Sequence, residues 1–135
     1  DRQKAWDLLN SVRTRAEATS ITEANYDEMM SARKKTHNLT FIDDSTPEGK
    51  FRTALYWERG FELAFEGQRK YDLIRWGVLG KALKLFGEIS SVNQKENKPY
   101  PAYRNFTEGK HELFPIPLKE IQSNPKLNGM NNNGY

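Results

Sequence analysis

Cysteine is missing altogether from the 135 residues. That absence excludes disulfide staples, thiolate nucleophiles and cysteine-ligated zinc or iron–sulfur sites, while leaving the compartment open. Histidine is scarce: His37 and His111 are the two, both in stretches read as loop. No apolar run approaches the ~20 residues of a spanning helix, and no signal-peptide pattern opens the chain. Neither sign of charge dominates, with 21 basic and 18 acidic side chains, a net charge of +3 and a pI near 9.1. The two signs alternate instead of forming blocks, so a nucleic-acid partner is not expected. An apolar share of 36% and a mean hydropathy of −0.87 imply a lean core under a heavily charged surface. The length suits about one domain of the usual ~100–200 residues. The chain begins with Asp1, not Met, and enters a helical pattern at once. It therefore reads as a piece of a longer protein, and its lack of a targeting signal carries little information.

What is present is mainly helical pattern. Trp6, Leu9, Val12 and Ala16 share one face of a helix expected over 2–19. A second helix is expected over 23–37, with Thr22 as its N-cap. The linker "NLTFIDDSTPEGK" ends in a clear start signal: Thr46 as N-cap, Pro47 at the first helical position and Glu48 in the first turn. From there a long helix should reach about Phe65 or Glu66, with Gly67 marking its end or a kink. Short helices are expected over 69–76 and 78–86, the latter ending near Gly87. Residues 90–110 show no period and read as loop. In "LFPIPLKEIQSNPKL" the prolines impose an extended 113–117, and Pro117 can open one helical turn through Ile121. The fold class is thus mainly α, helical over about 1–88 with a loop-rich close over 89–135.

The densest chemistry lies in "ERGFELAFEGQRKYDLIRWG", residues 58–77. On a helix, Glu58 and Glu62 lie on or beside the apolar stripe of Phe51, Leu55 and Phe65, and Glu66 follows at the same interval. Like charges four apart destabilise a helix by ~0.2–0.5 kcal/mol per pair, so something must offset them. A carboxylate di-metal centre would need Glu-x-x-His, but Phe61 and Phe65 stand where histidine should. Acid–base catalysis would need two carboxyls facing each other across a cleft. The preferred reading is structural: arginines neutralise the acids, since their rigid forks match carboxylates. Arg59, Arg69 and Arg75 lie within reach along the chain, and Arg13 or Arg15 can pair with Glu58 or Glu62 from the first helix.

These residues resemble the signature of the SusD/RagB family of outer-membrane lipoproteins: ER-x-x-EL-x-FEG-x-R-x-x-DL-x-RW-G. Glu58, Arg59, Glu62, Leu63, Phe65, Glu66, Gly67, Arg69, Asp72, Leu73, Arg75, Trp76 and Gly77 all match. "LLNSVRTRA" resembles the family's N-x-V-R-x-R-A-G helix, with Asn10, Val12, Arg13, Arg15 and Ala16 matching and Glu17 standing where the family has glycine. "LFPIPLKEIQSNPKLNGMNNNGY" is similar to the family's C-terminal close, departing at Asn131 and Asn133, so Tyr135 is expected to be the natural C-terminus.

The resemblance implies several things about a much longer protein. It would carry a lipidated N-terminal cysteine outside this sequence and sit on the outer face of the outer membrane. Its scaffold would be tetratricopeptide-like helix pairs followed by an irregular, loop-rich segment. It would bind glycans or other nutrients for a SusC-like TonB-dependent transporter, without catalysis and without a cofactor. The signature residues Arg13, Arg15, Glu58, Arg59, Glu62, Glu66, Arg69, Asp72 and Arg75 would then be scaffold. Sugar sites favour aromatic faces beside planar polar groups, and "KPYPAYRNF" supplies Tyr100, Tyr103 and Arg104 as ligand-binding candidates; the competing reading tucks those aromatics onto the helices. "NLT" and "NFT" match the N-glycosylation tripeptide, which arises easily by chance. Two other readings, a generic helical-repeat interaction module and a carboxylate glycosidase, account for the helices or the acids but not for three blocks in order.

Overall fold

The computed structural model describes residues 1–93 and 101–135. Its elements are α1 (Arg2–Arg15), α2 (Tyr26–Thr36), α3 (Pro47–Glu62), α4 (Arg69–Arg75), α5 (Leu79–Asn93), α6 (Pro101–Arg104), α7 (Leu118–Ser123) and a 3-10 turn, Pro125–Leu127. The mainly α expectation holds, and among the described residues there is no strand. Two compact units divide the chain: Asp1–Leu73 and Ile74–Tyr135.

In the first unit α1, α2 and α3 enclose Trp6, Leu9, Ile21, Tyr26, Met30 and Ala54. Each of the larger side chains contributes about 1.5–3 kcal/mol by leaving water. Trp6 meets the edge of Phe51 on α3, with centroids 5.1 Å apart. α1 is shorter than its periodicity suggests, because Glu17 takes a left-handed φ of 54° and turns the chain. Its buried stripe is Trp6, Leu9 and Arg13, while Ala16 is exposed. Thr22 is not the cap of α2. Asn25 holds that place, and the two residues form a reciprocal turn one step earlier: Thr22 N–H donates to Asn25 Oδ1 (2.7 Å) and Asn25 N–H to Thr22 Oγ1 (3.3 Å).

Thr46 caps α3 as its sequence dictates, Oγ1 accepting from Gly49 N–H at 3.0 Å with Pro47 behind it. Gly49 is indispensable for another reason: a Cβ there would fall 1.6 Å from the Asp43 carbonyl oxygen. α3 ends at Glu62, earlier than expected, because Phe65 (φ 66°) and Gly67 (φ 72°) both leave the right-handed region.

The second unit corrects two expectations. α5 runs straight through Gly87 to Asn93, so the helix extends into what reads as loop. Gly87 is a contact residue, not a stop: a Cβ there would lie 2.7 Å from Tyr103 Cδ1, and one on Gly80 would lie 2.8 Å from Phe106 Cε1. Two glycines seven apart thus give α5 a smooth strip on which aromatic rings rest. Downstream, Leu113 is a bend and not part of the expected extended run. Residues 114–117 form no helix, Pro117 is extended at φ −54° and ψ 136°, and α7 opens after it.

Candidate functional site

The charged signature falls at the α1–α3 seam and the α3–α4 turn. Arg13 of α1 reaches across to Glu58 of α3 at 2.5 Å, and its Nε donates to the Thr19 carbonyl at 2.7 Å. Both side chains are almost withdrawn from water, 7% and 12% exposed. One turn further along, Arg15 pairs with Glu62 in the open. That carboxylate holds the Arg15 guanidinium above its ordinary pKa, first through the hydrogen bond and then through charge attraction. Glu58 and Glu62, four apart, share one face of α3, whereas Arg13 and Arg15, two apart near the end of α1, point differently, so one pair is buried and the other open.

Arg59 turns the other way and grips buried Asp72 with its fork, Nε to Oδ2 at 2.7 Å and Nη2 to Oδ1 at 2.9 Å. Such a bidentate pair fixes orientation as well as charge, and here it ties the end of α3 to the start of α4. Arg69 meets no carboxylate among its described contacts. Its Nη1 donates to the Tyr56 carbonyl at 2.9 Å, and its guanidinium lies 3.8 Å over the Tyr56 ring. Glu66 is exposed on the turn after α3, off the helical stripe where the four-residue interval would place it, and Arg75 is exposed at the end of α4.

Three functional side chains are missed by pattern reading. Asn10 clamps the Ile21 backbone from both sides, donating to its carbonyl and accepting from its N–H, each at 2.8 Å. Asn131 does the same for Ile116 in the loop-rich close, at 2.7 and 3.4 Å. Asparagine in a sequence looks like turn punctuation, and only a partner backbone shows it to be an amide standing in for a strand. Arg33 of α2 stacks over Phe61 (4.8 Å) and Trp57 (5.8 Å). Burial and then the neighbouring Arg13 lower its pKa, while Glu58 pulls the other way.

The chemistry this allows is support. Glu58 and Glu62 both hold arginine, and they project from one helix instead of facing each other over a substrate. Among the described residues, no three acidic or histidine side chains gather into a metal-sized group. His37 is exposed and bonded to the adjacent Thr36 hydroxyl at 2.9 Å. His111 accepts from the Thr107 N–H at 2.7 Å. Also among the described residues, no helix is long and apolar enough to cross a membrane. Of the sugar candidates, Tyr103 is half-buried against Gly87 and Arg104 is exposed at the end of α6, while Tyr100 lies outside the described residues.

In this mainly α chain most of the signature charges join one helix to another, and the comparisons give the chain a family. A family model described as the SusD family matches residues 1–135. The chain belongs to the SusD/RagB family. It is similar to SusD-like protein P25 of Formosa agariphila, 40% identical over 87 residues, 63% of this chain and 15% of that protein. It is also similar to SusD-like protein P2 of the same organism, 34% identical over 94 residues, 70% of this chain and 16% of that protein. The matched stretch thus spans about 15% of the length of these curated relatives. No solved structure matches the chain.

Proposed function

We propose that these residues are the scaffold portion of a cell-surface nutrient-binding protein, one that captures a glycan or similar nutrient. The full protein would be lipid-anchored at the outer membrane and would deliver its ligand to a SusC-like TonB-dependent transporter. The observation that supports this reading is the SusD family match along all of residues 1–135, joined to a charge arrangement that serves helix packing. No catalysis is proposed, because guanidinium groups already hold Glu58 and Glu62.

Within the chain, the stretch that holds Tyr100, Tyr103 and Arg104 is the proposed place for ligand contact. The exposed Arg104 guanidinium supplies planar donors there. Calorimetric titration of a polysaccharide panel against the full-length protein and the 135-residue chain, side by side, tests the reading. Heat with one glycan and the full-length protein, without release of reducing ends, supports it. Absence of binding across the panel, or glycan turnover abolished by Glu58→Gln, overturns it. If the shorter chain binds too, Arg104→Ala should weaken that binding.

A further inference from the structure

Asparagine followed by glycine is a chemically weak point of a polypeptide, because glycine's missing Cβ lets its backbone nitrogen reach the preceding side-chain amide. The sequence holds two such pairs, Asn128–Gly129 and Asn133–Gly134, and both are exposed in the loop-rich close. The structure treats them differently. Asn128 and Gly129 are the central residues of a tight turn, closed by Met130 N–H donating to the Leu127 carbonyl at 2.8 Å. Their φ values are both left-handed, 46° and 74°, the turn geometry that favours Asn-Gly. Among the described residues, neither the Asn128 side-chain amide nor the Gly129 N–H has a hydrogen-bond partner. Beyond its chain neighbours, nothing lies within 4 Å of where a Gly129 Cβ would stand, so the peptide can swing without displacing anything. Asn133–Gly134 is anchored instead. Asn133 Nδ2 donates to the Gly109 carbonyl at 3.4 Å, and Gly134 rests on Lys110, whose Cδ would lie 2.9 Å from a Cβ there. Tyr135 then ties the end down, its N–H to the Asn132 carbonyl and its hydroxyl to the Leu113 carbonyl, each at 3.1 Å.

We propose that Asn128 is a site of spontaneous covalent modification, converting to isoaspartate and aspartate in the folded protein while Asn133 stays an amide. The Gly129 backbone nitrogen attacks Asn128 Cγ, and its proton passes to Nδ2. The new N–Cγ bond closes a five-membered imide as the Cγ–Nδ2 bond breaks and ammonia leaves. Water then opens the ring. Breaking the N–Cγ bond gives aspartate. Breaking the bond from that nitrogen to the Asn128 main-chain carbonyl carbon gives isoaspartate, whose main chain runs through the side chain. Nothing is oxidised or reduced, and water is the co-reactant. The consequence reaches Asn131, whose amide holds the Ile116 backbone at 2.7 and 3.4 Å. An extra main-chain carbon breaks the register of the Leu127–Met130 turn and draws Asn131 off Ile116. The inference stands on the two turns and does not rest on the nutrient-binding reading.

The test is peptide mapping by mass spectrometry of the unaltered full-length protein, aged folded and in guanidinium, in mildly alkaline water enriched in heavy oxygen. In the folded protein Asn128 is expected to convert several-fold faster than Asn133, each product carrying one heavy oxygen. In guanidinium the two rates should converge. Equal rates in the folded protein, faster conversion at Asn133, or a rate ratio that unfolding leaves unchanged would each overturn the proposal. So would an intact Asn128 in folded protein after a time in which the unfolded chain converts. Hydrogen exchange reads the consequence: the Ile116 N–H, bonded to Asn131, should exchange several-fold faster in the aged protein, and unchanged exchange would refute the link to that clamp.

Discussion

Glu58→Gln is the most direct probe of the seam. The change keeps side-chain size and one acceptor oxygen but removes the charge that meets Arg13 at 2.5 Å. Because the two side chains are only 7% and 12% exposed, solvent cannot replace the lost partner. Breaking such a buried pair costs about 3–5 kcal/mol, and the retained amide hydrogen bond returns roughly 1 kcal/mol. Arg33 adds to the loss, since without Glu58 its repulsion from Arg13 is unopposed. The expected destabilisation is therefore ~2–4 kcal/mol, a large part of the ~5–15 kcal/mol typical of a domain. With a urea slope of ~1–3 kcal/mol per molar, the midpoint should fall by about 1–4 M. Tryptophan fluorescence reads the transition, with Trp6 and Trp57 reporting from the first unit. Glu62→Gln serves as the control, because Arg15 is 67% exposed and surface pairs contribute ~0–1 kcal/mol. Combining Glu58→Gln with Arg13→Met should cost less than the sum of the single changes, by ~0.5–3 kcal/mol. An unchanged midpoint for Glu58→Gln, or strict additivity in the double variant, would refute the structural account of these acids.

Replacing an exposed aromatic should stabilise the chain at one position: Phe65 is fully exposed with φ 66°, so Phe65→Gly relieves a left-handed cost of ~1–2 kcal/mol and sacrifices no burial. Net of glycine's greater unfolded-state entropy, the melting temperature should rise slightly; a clear fall would show that the ring has a partner within the chain. Gly87→Ala should destabilise despite alanine's ~1 kcal/mol helical advantage, because its Cβ would sit 2.7 Å from Tyr103 Cδ1. Tyr103→Ala in the same chain should recover much of that loss by urea unfolding, and a stabilised Gly87→Ala would contradict the packing. On the acid side, burial pushes the Asp44 carboxyl up, but the Lys34 and Tyr26 hydrogen bonds outweigh it and leave its pKa below the ordinary value. That stability is complete above an unfolded carboxyl pKa of ~4 and is lost as pH falls through the lower folded value. Asp44→Asn should flatten the fall in stability below about pH 4, and an unchanged acid profile would show that Lys34, 2.8 Å away, contributes nothing there.

Much of this protein is determined locally. Trp6 and Leu9 lie inward because helical spacing places them together, and Thr46-Pro47 starts α3 because a hydroxyl cap and a ring without an N–H suit the first turn. The acids at 58 and 62 demand cations because like charges on one face repel, and the three sequence blocks carry the family resemblance unaided. What the chain could not disclose depends on distant partners. Gly87 reads as a stop until Tyr103 is seen to lie against it, and what Asn10 in its helix and Asn131 in the close hold is hidden until Ile21 and Ile116 present their backbones. Glu58 and Glu62 are equivalent in spacing, yet one pair is buried and the other bathed in water. Spacing along a helix fixes which face a side chain occupies; how deep that face lies, and what meets it there, is set only when the other helices arrive.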